Sequence, residues 1–69
     1  MGERIELRAF RVRRKLSQQE MADMLGFNRS TYAMVERGQR RGSDVLWAKL
    51  QSTFDVPDAD MWKLMQKEE

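Results

Sequence analysis

The stretch from Ser17 to Gly38 constrains this chain more than any other, because it carries the start and stop signals of two short helices in succession. Ser17-Gln18-Gln19-Glu20 has the form of a capping box. The Ser17 hydroxyl can accept from an open amide near Glu20, and the Glu20 carboxylate can reach back to the Ser17 amide. The helix begun there turns Met21, Ala22 and Leu25 inward and stops at Gly26, which takes the left-handed conformation without a Cβ penalty. Phe27 then serves as a hydrophobic anchor, and Asn28 is a good N-cap for a further helix running through Arg37, with Tyr32 and Val35 facing in and Gly38 ending it. Ala22 is small enough to let the two helices approach closely.

Two helices joined by a turn of about three residues containing Gly form the arrangement of a helix-turn-helix. The remaining apolar residues also recur at helical spacing, with the lone Pro and the four Gly at the edges of the periodic runs. A first helix is expected over Glu3–Arg14, with Leu7 and Phe10 on its buried stripe, Arg4, Arg8 and Arg11 on its flanks, and Leu16 closing the segment against the core. After the Gln39-Arg40-Arg41-Gly42 loop, Ser43 or Asp44 can cap a fourth helix to about Phe54, with the stripe Leu46, Trp47, Leu50 and Phe54. Pro57 fits an early position in a final helix, where Met61, Leu64 and Met65 share a face and Trp62 points partly elsewhere. The expectation is an all-α, compact five-helix domain spanning residues 1–69.

Composition removes many functions. With no Cys and no His, disulfides, thiol catalysis, imidazole bases, iron–sulfur clusters and most zinc sites are excluded, and no paired carboxylates form an acid–base site. We expect no enzyme, no cofactor, no metal and no small-molecule ligand. No apolar run approaches the roughly 20 residues a bilayer span needs, so no membrane partner is expected, and neither is a signal peptide. The charge is distributed unevenly. Residues 1–41 hold ten bases against five acids, whereas residues 42–69 hold three bases against six acids, which splits the overall +2 into +5 and −3. All nine arginines lie in the basic part, and guanidinium is the group suited to bidentate recognition of phosphate and guanine. Solvated helix faces are the plainer reading of such charge.

The segments Leu16-Ser17-Gln18-Gln19-Glu20-Met21-Ala22, Gly26-Phe27-Asn28-Arg29-Ser30-Thr31 and Val35-Glu36-Arg37-Gly38 resemble the Cro/repressor-type, or XRE-like, helix-turn-helix family. The likeness extends from the pattern around Leu7, Arg8 and Arg11 through the apolar positions of the fourth helix. The sequence departs from the family pattern at Lys15, where a glycine is common, and at Gly42 and Asp44, where relatives often carry a proline and an apolar residue. The resemblance implies a lambda-repressor-like fold and sequence-specific binding of double-stranded DNA by a transcriptional regulator, acting as a homodimer on a palindromic operator. The second helix of the motif would lie in the major groove. Carried onto this sequence, base contacts fall to Arg29, Ser30, Ala33 and Met34, with Arg29 able to grip guanine O6 and N7 for about 1–3 kcal/mol of discrimination. Phosphate contacts fall to Gln18, which matches the family's phosphate-binding glutamine, and to Asn28, Arg37, Arg40 and Arg41. Arg13, Arg14 and Lys15 add general positive field. In the family an arginine and a glutamate at the positions of Arg11 and Glu36 often pair, and that ion pair is expected here.

The acidic third argues against facing DNA. Trp47, Leu50 and Phe54 are expected to complete the core, whereas Trp62 and Met65 are candidates for a twofold dimer contact that sets two recognition helices about 34 Å apart. Such a dimer would be weak and assisted by DNA. A repressor of phage or mobile-element kind, acting in the cytoplasm on the nucleoid, is the reading preferred. The alternative is an interaction protein of the same fold, a modulator or antitoxin acting on a second protein.

Overall fold

Three of the described helices, the second, third and fourth, open where a side chain satisfies an amide of the first turn. The computed structural model describes residues 2–68 and contains α1 (Ile5–Arg13), α2 (Gln18–Leu25), α3 (Arg29–Glu36), α4 (Asp44–Phe54) and α5 (Asp58–Met65). Ser17 Oγ accepts from the Glu20 amide at 3.0 Å while Glu20 Oε1 accepts from the Ser17 amide at 2.9 Å, the reciprocal pair of a capping box. Asn28 Oδ1 caps α3 through the Thr31 amide at 2.8 Å, and Ser43, not Asp44, caps α4 through the Leu46 amide at 3.1 Å. Asp44, Asp58 and Asp60 lie in the first turns of α4 and α5, where the helix dipole favours anions; this accounts for part of the acidity of the last third.

The turn between α2 and α3 follows the expected design, with Gly26 at φ +78° ending α2 and the Phe27 amide donating to Ala22 O at 2.9 Å. Gly38 is demanded twice: its φ is +80°, and a Cβ there would sit 1.7 Å from the carbonyl oxygen of Gly2. Lys15, at the exit of α1, adopts φ +58°, so the position where relatives often carry glycine does require a left-handed residue.

Four boundaries differ from those read in the sequence, one of them the end of α1, which stops at Arg13 with Arg14 as its C-cap. α1 begins at Ile5, not Glu3, because Glu3 pairs with Glu68 in an antiparallel bridge, with reciprocal N–H···O contacts of 2.9 and 2.7 Å. α3 stops at Glu36, with Arg37 as its C-cap, and Pro57 lies just before α5 as its N-cap. The core is built from Leu7 and Phe10 of α1, Met21, Ala22 and Leu25 of α2, Tyr32 and Val35 of α3, Leu46, Trp47 and Leu50 of α4, and Met61 and Leu64 of α5. Phe54 is half-buried and meets Phe10 edge-on, with centroids 5.3 Å apart. None of the described helices is long and apolar enough to cross a membrane.

Candidate nucleic-acid interface

The register of α3 is set by its buried side. Tyr32, Val35 and Glu36 point inward, which leaves Arg29, Ser30 and Arg37 exposed and Thr31 and Met34 half-buried. Arg29 and Ser30 are the first two residues of the helix, so their side chains stand at its free N-terminal end. Ala33 is a correction to the expected base-contacting set. It is only 6% exposed and turned toward the protein, because 100° per residue carries it onto the flank beside Tyr32 and Glu36. Met34 offers only part of its side chain, while its backbone carbonyl accepts from the amides of Gln39 and Arg40 at 2.8 and 3.2 Å.

Behind this face, Glu36 collects the side chains of three helices. Arg11 Nε donates to Glu36 Oε2 at 2.9 Å and Arg11 Nη2 to Oε1 at 3.1 Å, the fork-on-carboxylate geometry that arginine supports. The Tyr32 hydroxyl donates to Oε2 at 2.6 Å and Gln18 Nε2 to Oε1 at 3.2 Å. Arg11 also donates to Leu16 O at 2.7 Å, joining the end of α1 to the cluster. Burial pushes the Glu36 carboxyl up, but the hydrogen bonds from Arg11, Tyr32 and Gln18 outweigh it and hold the group below the usual carboxylate range. Burial beside that anion pushes the Tyr32 hydroxyl well above an ordinary phenol, and the hydrogen bond to Glu36 raises Arg11 further. Arg11 and Glu36 therefore stand as a hydrogen-bonded ion pair between α1 and α3, with Glu36 buried and Arg11 half-buried. Gln18, the expected phosphate contact, sits at the start of α2. It is half-buried, and Glu36 fixes its amide.

Arg37, Arg40 and Arg41 are exposed beyond the end of α3, and Asn28 is exposed with its oxygen engaged in the cap. The segment from Gln39 to Gly42 is held from beneath by a residue that the sequence placed on a solvated flank. Arg4 is only 4% exposed; its Nη1 donates to Val35 O at 2.5 Å and Arg40 O at 2.8 Å, Nη2 to Arg41 O at 3.0 Å, and Nε to Met65 O at 2.9 Å. The spacing held the signal: Arg4 precedes the buried Leu7 by three residues and so falls on the same stripe of helical turns. Trp47 adds an indole N–H to Arg41 O at 3.3 Å.

The other expectations sort by contact. Arg13, Arg14 and Lys15 are all exposed, and Arg14 also sits over Phe10, 3.4 Å from the ring centroid, with Nη1 donating to Phe10 O at 3.0 Å. On α5, Trp62 and Met65 are 59% and 41% exposed, beside the buried Met61 and Leu64. Compared with known proteins, residues 7–60 match a family model described as Helix-turn-helix. No curated protein matches the chain.

Proposed function

Because this chain belongs to the helix-turn-helix family of XRE-type DNA-binding transcription regulators, we propose that it is a sequence-specific repressor that reads a palindromic operator as a homodimer. α3 docks in the major groove. Arg29 reads a guanine edge, Ser30 reads a neighbouring base, and the exposed part of Met34 supplies apolar contact. Gln18, oriented by Glu36, and Asn28 bind phosphates near the N-termini of α2 and α3, and Arg37, Arg40 and Arg41 bind the backbone beyond the other end of α3. Trp62 and Met65 meet their copies across the twofold axis, and the protein acts in the cytoplasm.

The observation that carries this reading is the pairing of an exposed Arg29 and Ser30 at the free end of α3 with a buried network that fixes the opposite end of the same helix. Selection from random duplex DNA tests it: a palindromic consensus recovered by the wild-type chain and lost with Arg29→Ala is the expected outcome. Binding without a consensus, or none at all, would refute it. The exposed Trp62 and Met65 favour one second reading, in which the same fold acts on another protein. A chain that remains monomeric at every concentration and on DNA, and selects no sequence, would point there.

A further inference from the structure

Arg4 is a buried guanidinium with no carboxylate within salt-bridge distance among the described residues, and burial lowers its pKa. Its charge is met by backbone instead. Val35 O lies in the last turn of α3 and Met65 O is the last carbonyl of α5, so the cation sits at the negative ends of two helix dipoles. The other two acceptors, Arg40 O and Arg41 O, are consecutive carbonyls of the segment linking α3 to α4. Turning two successive carbonyls onto one planar fork fixes both peptide planes, and the side chains of Arg40 and Arg41 are left exposed on the outside. The Trp47 indole closes the same segment from α4; Arg4 lies 5.4 Å from the Trp47 ring centroid, and a Cβ on Gly42 would come within 2.7 Å of the indole nitrogen.

We infer that Arg4 is a positioning residue for DNA binding, which touches no DNA itself and sets the peptide planes of residues 40 and 41 so that Arg40 and Arg41 reach the phosphates together. The inference rests on the DNA-binding reading above and adds to it a residue outside the binding surface. Lysine keeps the charge but offers a compact ammonium on a flexible stem, which cannot span carbonyls of three segments in the arrangement the planar fork provides. Arg4→Lys is therefore the informative change, and its signature is a loss of phosphate contacts, not of stability alone.

The test is a salt titration of binding to a fluorescein-labelled mixed-sequence duplex by four chains: wild type, Arg4→Lys, Arg40→Ala/Arg41→Ala, and the triple variant. Each lost phosphate contact lowers the slope of log affinity against log salt by about 0.9, so Arg40→Ala/Arg41→Ala should lower it by about 1.8. Arg4→Lys should lower it by roughly 0.9–1.8 and change nothing further in the triple variant. An unchanged slope for Arg4→Lys, or an equal fold-loss of affinity with and without Arg40 and Arg41, would overturn the inference and leave Arg4 merely structural. If Arg4→Lys does not fold, Trp47→Phe, which removes a single donor to Arg41 O, should give a smaller slope loss; an unchanged slope there overturns the inference. A wild-type chain that binds no duplex overturns the DNA-binding reading itself. A wild-type chain that binds with a slope indifferent to Arg40 and Arg41 overturns only the role given to their segment.

Discussion

Glu36→Ala removes the carboxylate onto which Arg11, Tyr32 and Gln18 converge, and it should be among the most damaging single changes in the chain. Glu36 is buried, at 5% exposed, and Arg11 is half-buried, at 12%, so solvent screening softens the loss only in part. Truncating one partner leaves a guanidinium and a phenol desolvated without their acceptor. Breaking a buried pair in this way costs about 3–5 kcal/mol. At roughly 0.05–0.15 kcal/mol per residue, a chain of this length has on the order of 3–10 kcal/mol in total, so the variant is marginal at best. For a domain of this size a loss of 1 kcal/mol lowers Tm by about 4–8 °C, which puts the expected drop above about 12 °C. Thermal and urea unfolding followed by circular dichroism would measure it. The milder pair Arg11→Met and Glu36→Gln, taken singly and together, should show a coupling of about 1–3 kcal/mol. A Glu36→Ala variant within about 0.5 kcal/mol of wild type, the range of an ordinary surface change, would refute the reasoning, as would a cycle with no coupling.

Protonation should act on the same cluster. The Glu36 carboxyl is held below its unfolded value of about 4.3, so its contribution is present at neutral pH and is lost as pH falls through the depressed folded value; urea midpoints measured from pH 7 downward should fall in acid less steeply for Glu36→Gln. Tyr32 has the opposite sign: its pKa is raised, so stability should decline as pH rises past the ordinary phenol value of about 10, and Tyr32→Phe should remove that alkaline limb. Gly38→Ala meets both a left-handed φ and the Gly2 carbonyl, whereas Gly26→Ala meets only the φ and a flexible Lys49 amine at 3.3 Å. The first should cost more than about 2 kcal/mol and the second about 1 kcal/mol in urea titrations; equal costs would contradict the clash. Lys15→Gly should gain roughly 0.5 kcal/mol by relieving the left-handed lysine at φ +58°, and a loss of stability would count against that account.

The elements were legible in the sequence because their signals are local. Ser17, Glu20, Gly26, Asn28 and Ser43 each mark a helix end through hydrogen bonds or backbone angles involving near neighbours. The ion pair of Arg11 with Glu36 was reached through family resemblance, and local spacing alone would not have found it, since the partners lie 25 residues apart. What escaped the sequence depends on distant backbone. Arg4 read as a solvated flank because its acceptors are carbonyls 31 to 61 residues away, and carbonyls leave no mark in composition. Ala33 was assigned to the outer face because a small residue at a flank position is tolerated on either side. Arg14 read as free charge, and only the structure stacks it on Phe10. The bond from Gln18 to Glu36 depends on how closely α2 approaches the end of α3, which local spacing does not show.

The central claim is that the exposed start of α3 reads base edges while the arginines beyond its other end hold the backbone. It is tested most directly by measuring affinity for the selected duplex and for every single base-pair change in it, with wild type and with Arg29→Ala. The account predicts that Arg29→Ala flattens discrimination at one guanine position per half-site, by about 1–3 kcal/mol, and leaves the ranking at other positions intact. A uniform loss across all duplexes, with every preference preserved, would make Arg29 another phosphate contact and contradict the account.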